Sequence, residues 1–152
     1  MGRALLAVGG LLVLCFVILG VAVYATRSED RVAVDQILAE DLSRQLALAN
    51  NGPDPLEVDV VTDFDWDVLV IVAKDTPRED IDAELGFEFK GDLPYDAESQ
   101  ELLIFLRDGK LARFADYRGR LTFEGLERPF ARLTPDTAVF RVSRGKIRKV
   151  TR

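Results

Sequence analysis

Residues 64–74 read FDWDVLVIVAK, and the apolar centre of this stretch decides the fold. Its six consecutive apolar residues, 68–73, include three valines and an isoleucine, which favour strands. A continuous apolar run of this length is typical of a strand that is buried on both faces. We therefore expect residues 68–73 to form a central strand, with other elements packed on each side.

The segments that flank this strand predict a mixture of helices and strands. Residues 55–62, PLEVDVVT, alternate apolar and polar side chains as a strand with one wet face does. Residues 75–86, DTPREDIDAELG, predict a short helix with Thr76 as N-cap, Glu79 completing a capping box and Gly86 at the C-terminal end. Residues 30–55 predict a longer amphipathic helix that stops at Asn50-Asn51-Gly52-Pro53.

The rest of the chain is rich in strand patterns. Asp108-Gly109 and Arg144-Gly145 each stand between two apolar runs, which predicts two hairpins. Residues 120–133 predict a further strand and an edge strand between the hairpins. The fold class that follows is α+β: one small domain, residues 27–152, with a mainly antiparallel sheet of about five to seven strands and two helices.

The N-terminal segment predicts a membrane anchor. Residues 4–26, ALLAVGGLLVLCFVILGVAVYAT, contain no charged side chain and are long enough to cross a bilayer as a helix. The alternative is a cleavable signal peptide, for which Val23 and Ala25 would supply small residues before the cut. We expect residues 1–26 to be a single-pass anchor in the cell membrane, with residues 27–152 exported. Cys15 is the only cysteine, so an intrachain disulfide is excluded.

Charge is distributed unevenly along the chain. The chain carries 20 basic and 26 acidic residues, an acidic balance that argues against nucleic acid as a partner. From residue 113 onward, 11 basic residues face four acidic ones. This block either meets lipid phosphates or an acidic partner, or complements the acidic half of its own domain. The candidate interaction residues in the block are Arg141, Arg144, Lys146, Arg148 and Lys149.

Few residues could carry chemistry. The chain has no histidine, which excludes imidazole acid–base catalysis and histidine metal sites. Asp63, Asp65 and Asp67 are spaced like the first ligands of a calcium loop, but Val68 and Lys74 stand where glycine and glutamate are needed. We therefore expect no metal site, no cofactor and no catalytic residues.

Trp66, the only tryptophan, is a further candidate. Tryptophan is enriched at the centres of protein interfaces, so this side chain could contact a partner. A single tryptophan next to a buried strand is more often part of the core.

The chain resembles a group of uncharacterised small bacterial membrane-anchored envelope proteins. The resemblance spans about residues 60–117 and lies in a Trp66-Asp67 strand and a short helix with Pro77 and Ile81 that ends in Leu85-Gly86. It implies location and fold rather than activity. The function we expect is a non-catalytic envelope protein that acts as a protein-binding or accessory module. The alternatives are an accessory subunit of a larger membrane complex and a small carboxylate-dependent enzyme or metal-binding domain that uses Asp63, Asp65 and Asp67.

Overall fold

The computed structural model describes residues 35–50, 52–93 and 100–150, all of which fall within one compact unit, Val32–Arg152. This part of the chain is a small α+β domain with mainly antiparallel sheets. Its helices are α1 (Gln36–Ala49), α2 (Val58–Val61) and α3 (Arg78–Leu85). Its strands are β1 (Leu56–Glu57), β2 (Val68–Ala73), β3 (Glu101–Arg107), β4 (Lys110–Tyr117), β5 (Thr122–Glu124), β6 (Phe130–Leu133), β7 (Val139–Ser143) and β8 (Lys146–Lys149).

None of the helices in these residues is long and apolar enough to cross a membrane. The predicted anchor, residues 4–26, lies outside the described residues.

The first sheet is built around the strand that the sequence predicts to be central. Its order is β4-β3-β2-β6 with all neighbours antiparallel, so β2 lies between β3 and β6. Leu69 is opposite Phe105 of β3 and Leu133 of β6. Residues 69–72 are all buried, which confirms that this strand is covered on both faces.

A second sheet covers one face of the first. Its order is β1-β7-β8-β5, antiparallel except for the parallel pair of β5 and β8. The expectation of a single sheet with two helices is therefore corrected to two four-stranded sheets with three helices. The reason is that a sheet that is apolar on both faces needs a cover on each side: in the described residues α3 packs on one face, and α1 and the second sheet pack on the other.

The first sheet separates two hydrophobic cores. Leu69 and Ile71 point into the main core, which is shared with α1 and the inner face of the second sheet. Val70 and Val72 point into a second core, which contains Ile81 of α3 and also Phe89. The domain thus has three layers: α3 with the following loop, the first sheet, and the second sheet with α1.

Helix α1 confirms the amphipathic pattern of its sequence and the stop after Ala49. Leu38, Leu42 and Leu46 recur every four residues and are buried in the main core. The carboxylate of Asp35 caps the helix by accepting a hydrogen bond from the Leu38 backbone N–H at 2.9 Å.

The strand predicted for residues 55–62 is only partly correct. Leu56 and Glu57 pair with β7, but Val58–Val61 form one helical turn that the Thr62 N–H closes on the Val58 carbonyl at 3.1 Å. Val58 is buried, whereas Val60 is 76% exposed. The apolar and polar pattern of the four residues 58–61 is too short to separate a strand from a helical turn, and tertiary contacts decide which one forms.

The N-cap predicted for α3 is wrong by one residue. The Thr76 hydroxyl donates to the Ala73 carbonyl at 2.6 Å and so closes the end of β2. The helix begins at Arg78, one residue after Pro77, which occupies the N-cap position without a side-chain hydrogen bond. Gly86 ends the helix with a φ of 77°, which confirms the predicted left-handed position.

Both predicted hairpins are confirmed. Asp108 and Gly109 have φ values of 51° and 70°, and Arg144 and Gly145 have values of 52° and 79°. Two consecutive left-handed residues are what a type I′ turn requires.

Candidate functional site

The three aspartates of the predicted acidic candidate are held by their own domain. Asp65 Oδ2 accepts a hydrogen bond from Arg107 Nη1 at 2.8 Å, and Asp67 Oδ2 accepts one from the Asp108 backbone N–H at 2.6 Å. Asp63 Oδ1 lies 3.6 Å from Arg113 Nη1. The three carboxylates fasten the loop before β2 to the β3–β4 hairpin.

Their arrangement does not resemble a metal site. Across the described ranges, no group of three or more His, Cys, Asp or Glu side chains is placed to hold a metal ion. Each carboxylate also faces a hydrogen-bond donor that competes with a cation. A divalent ion would need several oxygens directed at one point.

The main core contains a small apolar cavity. Its volume is about 10 Å³, and side chains from α1 and both sheets line it, including Leu46, Leu69 and Phe105. A pocket for a small molecule usually has about 300 to 1,000 Å³ and a few polar groups. The cavity has room for about one water molecule and has no polar lining, so it does not suit a ligand.

Trp66 belongs to the main core, which agrees with the second of the two roles considered for it from the sequence. It is 5% exposed, and its indole N–H donates to Thr62 Oγ1 at 3.0 Å. Its ring packs edge-on against Phe105 with centroids 5.4 Å apart. A side chain so enclosed offers little surface to a partner.

Arg113 connects the start of the domain to this aromatic cluster, a role that the sequence does not reveal. Its guanidinium binds Asp35 Oδ2 at 2.9 Å and lies 4.5 Å from the centre of the Phe64 ring. Asp35 is 78 positions away along the chain, so no local pattern signals the pair. The contact fixes the first turn of α1 against β4.

The structure brings three of the five predicted basic residues onto one surface. Phe140, Val142 and Ile147 point into the main core, so their neighbours Arg141, Lys146 and Arg148 lie on the outer face of the second sheet. Arg144 occupies the hairpin turn, and Lys149 is exposed near the end of β8. We call the surface formed by Arg141, Lys146 and Arg148 the basic face.

Two of the cations on the basic face share one carboxylate. Glu124 of β5 pairs with Lys146 and with Arg148, whose Nη2 is 2.9 Å from Glu124 Oε2. The hydrogen bonds from Lys146 and then Arg148 lower the pKa of Glu124. Arg141 has no ion-pair or hydrogen-bond partner among the described residues. Cα pairing places it directly opposite Arg148.

A buried polar cluster lies at one end of the first sheet. Glu101 and Tyr117 are directly opposite each other on β3 and β4, and they are 5% and 0% exposed. Glu101 Oε1 accepts a hydrogen bond from Arg128 Nη2 at 3.1 Å. Glu101 Oε2 and the Tyr117 hydroxyl have no hydrogen-bond partner in the described part of the chain.

Burial dominates the ionisation of both side chains. Desolvation raises the pKa of Glu101, and Arg128 opposes the shift. Desolvation also raises the pKa of Tyr117 to about 12, and the nearby Glu101 carboxylate contributes to the rise. The Tyr117 ring is closed in by Gly119, where a Cβ atom would lie 2.1 Å from the hydroxyl oxygen. The cluster is a structural feature of the sheet end and is closed to a substrate.

No known protein family, curated protein or solved structure matches this chain.

Proposed function

We propose that the chain is a non-catalytic, membrane-anchored envelope protein whose domain acts as a protein-binding or accessory module. The predicted anchor at residues 4–26 supports the location, and the predicted export of residues 27–152 places the domain in the envelope. The acidic residues that could carry chemistry contact other residues of the domain: Asp63, Asp65 and Asp67 form hydrogen bonds or ion pairs, and Glu101 is buried at the end of the first sheet beside Arg128. A function through surface contacts fits this arrangement best.

The observation that carries the proposal is the position of the exposed apolar side chains. Ile37, Leu48 and Val60 are 75%, 64% and 76% exposed, and they are the large hydrophobic residues left open in the described ranges. All three come from α1 and α2, which contact each other. None comes from the strands.

Their spacing puts two of them on one side of a helix. Ile37 and Leu48 are 11 residues apart, about three turns at 3.6 residues per turn, so they share the outward face of α1. The opposite face of α1 packs in the main core through Leu42 and Leu46. The exposed ion pair of Asp41 and Arg44 lies between Ile37 and Leu48 on the outward face, so this face is mixed rather than apolar. Large apolar side chains exposed beside charged ones are typical of a surface that binds a partner.

Photo-crosslinking in native membranes tests this proposal. The full chain would carry a photo-reactive residue in place of Leu48, on the outward face of α1. A matched control would carry it in place of Ala83, an exposed position on α3. We expect a defined protein adduct from position 48 and none from position 83.

Two further arms sharpen the outcome. Ile37→Gln in the same chain should reduce the position-48 adduct, because it removes the second exposed apolar side chain of this helix face, about 16 Å farther along α1, without touching the core. The fragment 27–152 separates the two forms of the proposal: an adduct only in the anchored chain supports an accessory subunit of a membrane complex. No adduct from position 48 in either form would contradict the proposal.

A further inference from the structure

Helix α3 with the loop after it and the β7-β8 hairpin carry opposite charge. Residues 78–93, which include α3 and the loop after it, contain two basic and six acidic side chains. Residues 139–150, which form the central hairpin β7-β8 of the second sheet, contain five basic side chains and no acidic one. The first sheet lies between these layers, because its two faces belong to different cores. The acidic α3 segment and the basic hairpin therefore lie on opposite sides of the first sheet.

The basic face concentrates its charge where a protein would normally avoid it. Arg141 and Arg148 are direct cross-strand partners on β7 and β8, and both side chains project outward. Like charges in directly opposed positions destabilise a strand pair. Glu124 compensates Arg148 and Lys146, but within the described residues no carboxylate compensates Arg141. An external anion that binds between the two guanidinium groups would remove the repulsion.

We infer that the basic face docks on the phosphate groups of an anionic lipid surface. Arginine presents several N–H donors that match phosphate oxygens, and paired guanidinium groups suit phosphate recognition. The docking surface lies on the outer face of the second sheet, and the acidic α3 segment on the opposite side of the domain would be repelled by the same lipids. The inference rests on the proposed membrane anchoring.

A bilayer is favoured as the occupant because the sequence predicts that one is always near. Only residues 27–34 separate the predicted anchor from Asp35, where the described domain begins. A tether of this kind raises the effective concentration of the surface, so weak charge attraction is enough to orient the domain. Each basic residue close to an anionic membrane changes the binding constant about fivefold.

Site-directed spin labelling of the full chain in vesicles tests the inference. Cys15→Ser removes the native thiol, and Ser143→Cys places a label beside Arg141 on the outer side of the sheet. Vesicles of phosphatidylcholine are compared with vesicles that contain about 30% phosphatidylglycerol, each doped with a nickel-chelating lipid that reports contact with the headgroups. We expect the label at position 143 to contact the headgroups in anionic vesicles at low salt. The contact should be lost near 1 M salt, where charges are screened beyond about 3 Å.

The chain offers a matched pair of variants. Arg141→Gln with Arg148→Gln removes one unpaired and one paired cation at cross-strand positions. Arg107→Gln with Lys110→Gln removes the same kind of pair, because Arg107 binds Asp65 and is opposite Lys110 at the other hairpin. We expect the first variant to lower the ratio of docked to undocked domain about 25-fold, and the second to leave it nearly unchanged. A label at Ala83→Cys should report no headgroup contact.

The alternatives give different results. Equal losses in the two variants would show an effect of net charge alone and overturn the inference, as would equal headgroup contact in neutral and anionic vesicles. Millimolar inorganic phosphate that abolishes contact at constant ionic strength would assign the face to a soluble anion instead. Contact in native membranes but not in protein-free anionic vesicles would assign it to a protein. Extraction of the chain from all vesicles by alkaline carbonate would refute the anchoring itself, a failure distinct from that of the basic face.

Discussion

At the residue scale, Gly119 shows how a buried aromatic side chain can require a glycine next to it in space. A Cβ atom at position 119 would lie 2.1 Å from the Tyr117 hydroxyl oxygen and 2.2 Å from Cζ. Tyr117 is fully buried, so its ring cannot move aside. We expect Gly119→Ala to lower the free energy of unfolding by about 1 to 3 kcal/mol, measured by urea denaturation.

Gly52→Ala is the matched control for this change. The nearest heavy atom to a Cβ at position 52 is the Ala49 carbonyl oxygen at 3.8 Å, which is an ordinary contact. We expect a change within about 0.5 kcal/mol there. Equal losses for both variants would mean that backbone freedom, rather than the Tyr117 contact, sets the cost at position 119.

Glu101 gives the domain a pH dependence of known sign. Burial raises its pKa in the folded protein, so above the ordinary value the folded state keeps a proton that the unfolded chain has released. The contribution of Glu101 to the free energy of unfolding therefore falls as pH rises from the ordinary value through the raised one. We expect the stability of the wild type relative to Glu101→Gln to decrease over this range, in urea denaturation at a series of pH values.

Glu124 supplies a control of opposite sign. Its hydrogen bonds to Lys146 and Arg148 lower its pKa, so its contribution is present above the ordinary value and is lost as pH falls through the lowered one. The wild type should therefore gain stability relative to Glu124→Gln as pH rises through that lower range. Parallel slopes for the two variants would contradict the opposite shifts.

At the scale of elements, local patterns predict those parts of the fold whose signal is local. The two hairpin turns depend on pairs of left-handed residues, Asp108-Gly109 and Arg144-Gly145, and the end of α3 depends on Gly86; the sequence shows them directly. The helical turn at residues 58–61 and the role of Thr76 depend on where the neighbouring strands lie. A threonine hydroxyl at this position can bond to the backbone before it or after it. The bond of Thr76 to the Ala73 carbonyl depends on where β2 ends, and no pattern around Thr76 reveals that point.

The start of α1 combines a local signal with a distant one, and the two can be separated by mutation. Asp35 Oδ1 accepts the capping hydrogen bond from Leu38, and Oδ2 accepts one from Arg113. Asp35→Ala loses both and should lower the free energy of unfolding by about 1 to 2 kcal/mol. Asp35→Asn keeps an oxygen for the cap and should lose about 0.2 to 1 kcal/mol, because the ion pair is partly exposed. If Asn costs as much as Ala in thermal and urea unfolding, the ion pair with Arg113 is the main contribution.

At the scale of the whole molecule, the sequence predicts the class but not the layering. An apolar β2 predicts burial on both faces, yet it does not say that a second sheet covers one face and α3 the other. The candidate sites differ in the same way. Alternation along residues 139–149 places Arg141 and Arg148 on one side of their strands, and the turn of the β3–β4 hairpin brings Glu101 opposite Tyr117. Arg128 joins these two side chains from a separate segment, 27 residues after Glu101. A contact such as that of Arg128 depends on the topology of the chain, which local sequence patterns do not reveal.

The shared central strands should make the two cores unfold together. β2 and β3 place alternate side chains in each core, so a loss of packing in one core loosens the strands that support the other.

Ile81 is fully buried in the second core, and Trp66, the only tryptophan, reports on the main core. Ile81→Ala should lower the free energy of unfolding by about 2 to 5 kcal/mol. We expect Trp66 fluorescence and far-ultraviolet circular dichroism to show the same reduced midpoint in urea, as a single cooperative transition requires. Ile37→Ala, at a position that is 75% exposed, should leave both midpoints almost unchanged. A Trp66 transition that stays at the wild-type midpoint while circular dichroism shows an earlier loss would mean that the α3 layer unfolds independently of the sheets.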